Sequence, residues 1–288
     1  MKALNSIAFI TGATSGIGKE FANRFAASGY DLILTGRREP ELKQVAEAIS
    51  NEHHVKVEIM IGDLTDSNYC QALCERIKQA GNIEVLVNNA GFGIEDVFHM
   101  IKIEEIRSML CTHMMATVEL IHAVLPGMIR RRCGTIINLS SLGAFTPGFS
   151  KSLYLGTKAF IHYFTEALLP EVHKYGIRLQ SLCPGMTVSD FHRHIKDETY
   201  RKKIHRLPFM LPEEVVARSF KALKRGVVLC IPGVLNKLLY LISRLLPIRV
   251  LMLISGSGKE QPEMRTKQIP VVELQHHHPM VFALKKAN

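Results

Sequence analysis

The sequence predicts an α/β fold: a doubly wound parallel sheet in a single domain, with a C-terminal amphipathic helical extension. Three observations carry this expectation. Apolar, β-rich runs near 6–11, 31–35, 55–61, 84–88, 134–139 and 177–183 alternate with longer stretches of helical apolar spacing, the order a parallel sheet with crossover helices requires. A glycine-rich turn follows the first run and opens a helix. With 288 residues, 47% of them hydrophobic, the chain can bury one large core, and no internal repeat or low-complexity tract breaks it up.

The first strand is the run Ile7, Ala8, Phe9, Ile10, and the helix after it is marked by Ile17, Phe21, Phe25 and Ala26. Between them stands Thr11-Gly12-Ala13-Thr14-Ser15-Gly16-Ile17-Gly18. In a Rossmann-type dinucleotide turn Gly12 allows the tight bend, Gly16 lets the backbone approach a pyrophosphate, and Gly18 leaves room for the helix against the sheet. The free N–H groups of the first helical turn then face the phosphates. A nucleoside-triphosphate loop is excluded, because Ala13 stands where it needs glycine and Glu20 where it needs Ser or Thr after Lys19. The second strand, Asp31 to Thr35, ends in Gly36-Arg37-Arg38. An acidic residue there would bond the adenosine ribose of NAD, whereas two guanidiniums suit a ribose 2′-phosphate, so NADP(H) is the expected cofactor.

The third strand, Val55 to Ile61, leads into Gly62-Asp63-Leu64, and the fourth, Val85 to Val87, into Asn88-Asn89-Ala90-Gly91. A helical run follows, in which Pro126 is expected to kink or restart the helix near Arg130-Arg131-Arg132. The fifth strand, Thr135 to Leu139, places Ser141 at its end; the sixth, Ile177 to Cys183, leads into Pro184-Gly185. Between these two strands lies Tyr154-Leu155-Gly156-Thr157-Lys158. Carbonyl reduction needs a proton at oxygen, and a phenol with an ordinary pKa of about 10 is a reluctant donor near neutrality. An ammonium one helical turn away stabilises the phenolate and brings the phenol toward the working range. The same spacing also makes an ordinary i, i+4 pair, so the assignment leans on Ser141 and the cofactor turn.

In this order and spacing the motifs resemble those of the short-chain dehydrogenase/reductase family, of the single-domain Tyr-x-x-x-Lys type, over residues 4–232. The resemblance implies that Gly12, Thr14, Ser15, Gly16, Ile17 and Gly18 cradle the dinucleotide, with Arg37 and Arg38 at its 2′-phosphate. It places Asp63 and Leu64 at the adenine and Asn89, Ala90 and Gly91 along the cofactor. Tyr154 and Lys158 would stand at the nicotinamide ribose, Pro184 and Gly185 beside the nicotinamide, and Ser189 at its carboxamide. Tyr154 would serve as acid or base, Lys158 would tune it, and Ser141 would orient the substrate carbonyl. One position departs from the pattern. Where the family usually has an Asn that kinks a helix and holds a water of the proton relay, this chain has His113, within Cys111-Thr112-His113-Met114-Met115. Imidazole can take over the relay or simply pack there. The substitution is also the ground for an alternative, a non-catalytic NADP(H)-binding regulatory or scaffold protein.

Leu125-Pro126-Gly127-Met128 and Pro232-Gly233-Val234-Leu235-Asn236 resemble the branch with steroid and long-chain 3-ketoacyl reductases. Apolar pocket candidates Phe92, Leu142, Phe145, Phe149, Met186 and Phe191 favour a hydrophobic ketone over a sugar. The family's habit of pairing through its long helices implies a homodimer or homotetramer.

Residues 1–150 carry 14 basic and 16 acidic side chains, against 22 and 10 in residues 151–288. The cationic excess accompanies an apolar segment at 233–254, interrupted by Lys237, Arg244, Pro247 and Arg249 and so unsuited to spanning a bilayer. It is expected either to lie on an anionic membrane surface or to form a lid or subunit-contact helix over the active-site mouth. Residues 1–232 would then form the cofactor and catalytic domain and 255–288 an appended tail. The cysteines at 70, 74, 111, 133, 183 and 230 show neither zinc spacing nor a disulfide framework, and the N-terminus leads straight into the first strand. A cytoplasmic protein, peripherally membrane-associated at most, is the expectation. No functional metal is expected from His276-His277-His278, and no nucleic-acid partner, because the cations come without an aromatic stacking platform.

Overall fold

The computed structural model describes residues 6–94, 96–148, 150–188 and 209–254. Seven parallel strands form one sheet: β1 (Ile7–Thr11), β2 (Asp31–Gly36), β3 (Val57–Ile61), β4 (Ile83–Asn88), β5 (Gly134–Leu139), β6 (Ile177–Leu182) and β7 (Leu229–Cys230). Their order is β3-β2-β1-β4-β5-β6-β7, so the direction of winding reverses between β1 and β4. The carboxyl ends of these two strands frame the crevice in which open α/β sheets bind ligands.

Alternation along each strand builds two cores. On one face Ala8, Ile10, Leu32, Leu34, Val85 and Val87 pack against α1 (Gly16–Ala27), α2 (Glu39–His53) and α7 (Pro212–Lys224). On the other, Phe9, Ile33, Leu86, Ile136 and Leu179 meet α3 (Ser67–Ala80), α5 (Ala116–Arg131) and α6 (Ser152–Val172). Strands buried on both faces appear as continuous apolar runs, which is why they stand out in the sequence. β7 does not, because two residues carry no pattern; its pairing of Ser181 with Leu229 and Leu182 with Cys230 defines it.

Two departures lie in the long helical run that includes α4 (Ile103–Leu110) and α5. A π turn, Cys111–Met115, joins them. Pro126 does not restart the helix, which continues unbroken to Arg131 and ends at Arg132 in the left-handed region (φ 51°). Both Pro126 and His122, whose carbonyl loses its helical donor, face solvent, so water can replace the missing bond. The run Ile103–Arg131 is long and apolar enough to cross a bilayer by composition, yet half of its most apolar 18-residue stretch is buried against the fold. Beyond β7, α8 (Val234–Leu245) and α9 (Ile248–Ile254) continue the described chain.

Candidate active site

The glycine turn is shaped by close approach. Gly12 adopts φ +66°, and a Cβ on it would stand 2.8 Å from the Ala90 Cα. A Cβ on Gly18 would collide with the Gly12 carbonyl oxygen and the Asn89 amide. Asn89 Nδ2 donates to the carbonyls of Thr11 and Gly12, both at 2.9 Å, while Thr11 Oγ1 accepts from the backbone N–H of Asn89 (2.9 Å) and Ala90 (3.0 Å). These bonds staple the ends of β1 and β4 together and hold the crevice open at its floor. Ser15 precedes α1 in extended conformation without capping it through its side chain, so the first-turn N–H groups point into the crevice.

Arg38 bridges β2 to this turn, donating from Nη2 to Thr14 Oγ1 (2.7 Å) and Ser15 Oγ (2.9 Å). Arg37 pairs instead with Asp63 at 3.1 Å, on the rim. Burial works against the Asp63 charge, but the Thr65 backbone N–H and the Arg37 guanidinium hold its carboxyl below the usual range. Leu64 is buried beneath it. A glycine-lined, N–H-rich cradle with a cationic rim fits the phosphates of a dinucleotide.

A second cluster gathers at the ends of β4, β5 and α6. Lys158 is fully buried and donates from Nζ to the Leu139 carbonyl at 2.8 Å; its own carbonyl accepts from Ser140 Oγ at 2.7 Å. Burial pushes the Lys158 ammonium down to about 8. Its Nζ lies 5.8 Å from the centre of the Tyr154 ring. Ser141 Oγ accepts from the Gly143 N–H at 3.1 Å, which keeps the hydroxyl proton for donation. A Cβ on Gly143 would strike Leu155 at 2.6 Å, so the Ser141 loop lies directly on the helix turn that carries Tyr154. Gly91 makes the same kind of close approach: a Cβ there would sit 3.0 Å from His113 Nε2 and 3.5 Å from Lys158 Nζ.

His113 is buried in the π turn with both nitrogens engaged. Nε2 accepts from the Phe92 backbone N–H at 3.0 Å, and Nδ1 stands 2.8 Å from Thr157 Oγ1. The Thr157 hydroxyl proton goes to the Tyr154 carbonyl at 2.8 Å, so the ring must carry its single proton on Nδ1. Burial, and then the neighbouring Lys158 charge, hold its pKa well below the ordinary histidine value. Both ring nitrogens are thus hydrogen-bonded within the fold. The ring still touches the cluster, with centroids 6.0 Å from Tyr154 and 5.6 Å from Phe92.

The pocket candidates divide. Leu142 N–H bonds the Pro184 carbonyl at 2.9 Å, and the Met186 carbonyl accepts from the Met210 N–H at 3.0 Å, so both stand by the Pro-Gly loop. The Phe145 ring packs between His162 and Tyr240, 4.7 Å from each, beneath α8. Phe149, Ser189 and Phe191 lie outside the described residues, as do 255–288. Two contributors escaped sequence reasoning. Thr157 lies within the Tyr-x-x-x-Lys spacing but only the fold shows its bond to His113. Asn236 of α8 packs on Gly185, where a Cβ would overlap its amide, and donates to the Pro232 carbonyl at 2.7 Å.

Residues 6–199 match the family model described as short chain dehydrogenase. The chain belongs to the short-chain dehydrogenase family. Members are oxidoreductases that use NAD(P). The chain is 35% identical over 191 residues to sulfoacetaldehyde reductase 2 of Chromohalobacter salexigens, covering 65% of this chain and 75% of that one. Among solved structures, a short-chain dehydrogenase from Sphingobium yanoikuyae in complex with NADPH superposes with a TM-score of 0.76 at 28% identity, over 89% of this chain and 97% of that one. The bulky-bulky ketone specific alcohol dehydrogenase of Comamonas testosteroni gives 0.72 at 25% identity, over 90% and 97%. The glycine turn after β1 and the Tyr154–Lys158 cluster both lie at the carboxyl ends of the strands, beside the β1/β4 crevice.

Proposed function

We propose that the protein is an NADP(H)-dependent carbonyl reductase, or alcohol dehydrogenase in reverse, acting on a hydrophobic substrate. The observation that carries this reading is the fully buried Lys158 ammonium beside the Tyr154 ring, next to a glycine cradle with a cationic rim.

NADPH, when bound, supplies the hydride. Ser141 donates its hydroxyl proton to the substrate carbonyl and orients it. Tyr154 delivers a proton to the oxygen as negative charge develops there, and Lys158 stabilises the resulting phenolate. His113 acts as a positioning residue: through Thr157 and Phe92 N–H it ties the Tyr154 turn to the loop after β4. Arg37 and Arg38 support NADPH over NADH, since both guanidiniums flank the place a 2′-phosphate would take. An apolar substrate is supported by Phe92, Leu142 and Met186, and by the bulky ketones named for the Comamonas enzyme. Membership of the steroid and ketoacyl branch rests on the Leu125-Pro126-Gly127-Met128 and Pro232-to-Asn236 stretches. Buried free thiols such as Cys70, Cys183 and Cys230, packed as small hydrophobes, support a reducing, cytoplasmic setting.

The test is NADPH consumption across steroid, ketoacyl and aromatic ketones, with Tyr154→Phe in parallel. Turnover that falls by about 10³-fold or more in the variant, with NADPH affinity unchanged, is expected. A fully active Tyr154→Phe enzyme would remove this mechanism, and NADPH binding with silence across the panel would favour the regulatory alternative.

A further inference from the structure

Helix α8 presents its polar side to the fold and its apolar side outward. The inward stripe is Asn236, Tyr240 and Ser243, spaced i, i+4, i+7. Asn236 seats on Gly185 and the Pro232 carbonyl, Tyr240 on Phe145, and Ser243 returns a hydrogen bond to the Tyr240 carbonyl. The outward side carries Leu235, Leu238, Leu241 and Leu245, with Val234 and Leu245 exposed to 81% and 73%. After Pro247, α9 adds Ile248, Val250 and Met252, also exposed. A helix that folds only against its own domain has the opposite polarity, because burying leucine and exposing asparagine is the favourable order.

The charge carried by the helices themselves has one sign. From Val215 to Ile254 the chain has seven Lys and Arg and no Asp or Glu. Lys237 and Arg244, two helical turns apart, share one flank of the leucine face, where their stems can lie along the apolar surface while the charges reach past it. Arg249 opens α9.

We propose that α8 and α9 dock the protein onto an anionic bilayer surface, with the leucine face in the acyl boundary and Lys237, Arg244 and Arg249 at lipid phosphates. Charge favours this occupant over a second copy of the chain. A two-fold contact through the same patch would set Lys237, Arg244 and Arg249 against their own counterparts with no carboxylate on either helix to offset them, whereas a phosphate surface neutralises them. The helices lie on the membrane rather than cross it, since Pro247 and three cations interrupt the segment.

Flotation of the full chain with phosphatidylcholine vesicles, with or without phosphatidylglycerol, tests this, alongside sedimentation velocity without lipid. Binding is expected to the anionic vesicles only. It should weaken by about a hundredfold in Lys237→Glu/Arg244→Glu and be lost in Leu238→Glu/Leu245→Glu, with NADPH affinity retained as the check on folding. If the wild type floats with neither vesicle, or the leucine variant binds as well as the wild type, the proposal is overturned. An absence of flotation combined with a smaller sedimenting species for Leu238→Glu/Leu245→Glu would assign the face to a second copy instead.

Discussion

His113 and Lys158 are two buried titratable side chains whose environments push them in one direction for different consequences. His113 is neutral in the fold, and its unfolded counterpart gains a proton below pH 6.5 or so. The stabilisation from burying it neutral is therefore complete above that value and declines as pH falls below it, because the unfolded state then binds the extra proton. In His113→Asn the acid-side decline in thermal stability between pH 7 and 5 should be shallower than in the wild type; parallel melting curves would contradict its burial as a neutral ring. Loss of the two bonds should cost about 1–3 kcal/mol at pH 8. Lys158 has the opposite pH window. Its ammonium is held near 8 by burial, so the fold carries the full penalty of a buried charge below that pH. Between about 8 and the ordinary lysine value near 10.4 the folded protein releases a proton that the unfolded chain keeps, and stability from this group rises. The melting temperature of the wild type relative to Lys158→Met should accordingly increase from pH 7.5 to 10, and a constant difference would argue that the ammonium is solvated. The Tyr154–Lys158 spacing and the departure at position 113 are legible in the sequence, since both are local. Which nitrogen of His113 holds the proton is not, because Thr157 and Phe92 reach it from elements far apart in the chain.

At the scale of elements, the strands are legible where double-sided burial makes them continuous apolar runs, and the turn after β1 is legible because only glycine fits the approach of Asn89 and Ala90. The π turn at Cys111–Met115 has no such signature. An extra residue in a helix is set by what its side chains must reach, here His113 toward Phe92, rather than by residue preference. The orientation of α8 is hidden for a similar reason: periodicity shows that the helix has two faces but not which one docks. The turn that joins β2 to α2 carries the cofactor prediction. Arg38 is already held by Thr14 and Ser15, so its guanidinium is positioned before any phosphate arrives, while Arg37 must share itself with Asp63. NADPH should bind at least tenfold tighter than NADH, and Arg38→Ala should erase more of that preference than Arg37→Ala. Fluorescence titration of the two cofactors decides it, with equal dissociation constants in the wild type ruling out the 2′-phosphate site.

Over the whole molecule, α6 is a second element that leaves apolar side chains exposed, after α8 and α9. Ile161, Thr165, Leu168 and Val172 face the core, as an inward stripe should. The outer side also carries apolar groups: Tyr163 is 54% exposed and Ala167 is exposed beside Glu166, while at its edge Phe160 stacks at 5.7 Å on Phe164, which packs against the core. A helix that is apolar all round is stable when both sides are covered. Toward its N-terminal end the cover comes from within, where Leu155, Gly156 and Ala159 share a cleft with Leu246 and Leu251. Beyond Tyr163 no described segment lies over it, and exposed Met115 on the adjoining run extends the same apolar character. This arrangement supports self-association through α6, in keeping with the pairing of long helices expected of the family. Tyr163→Asp/Ala167→Arg should weaken that association by on the order of a hundredfold, since it places charge at the centre of the buried patch. Sedimentation velocity should show a dimer or tetramer for the wild type and a monomer for the variant at the same concentration, with NADPH affinity preserved. The outward leucines of α8 belong to a different surface, so Leu238→Glu/Leu245→Glu should leave the sedimenting species unchanged. Should the leucine variant dissociate the protein while the α6 variant does not, the self-association surface would lie on the C-terminal helices and α6 would need another cover.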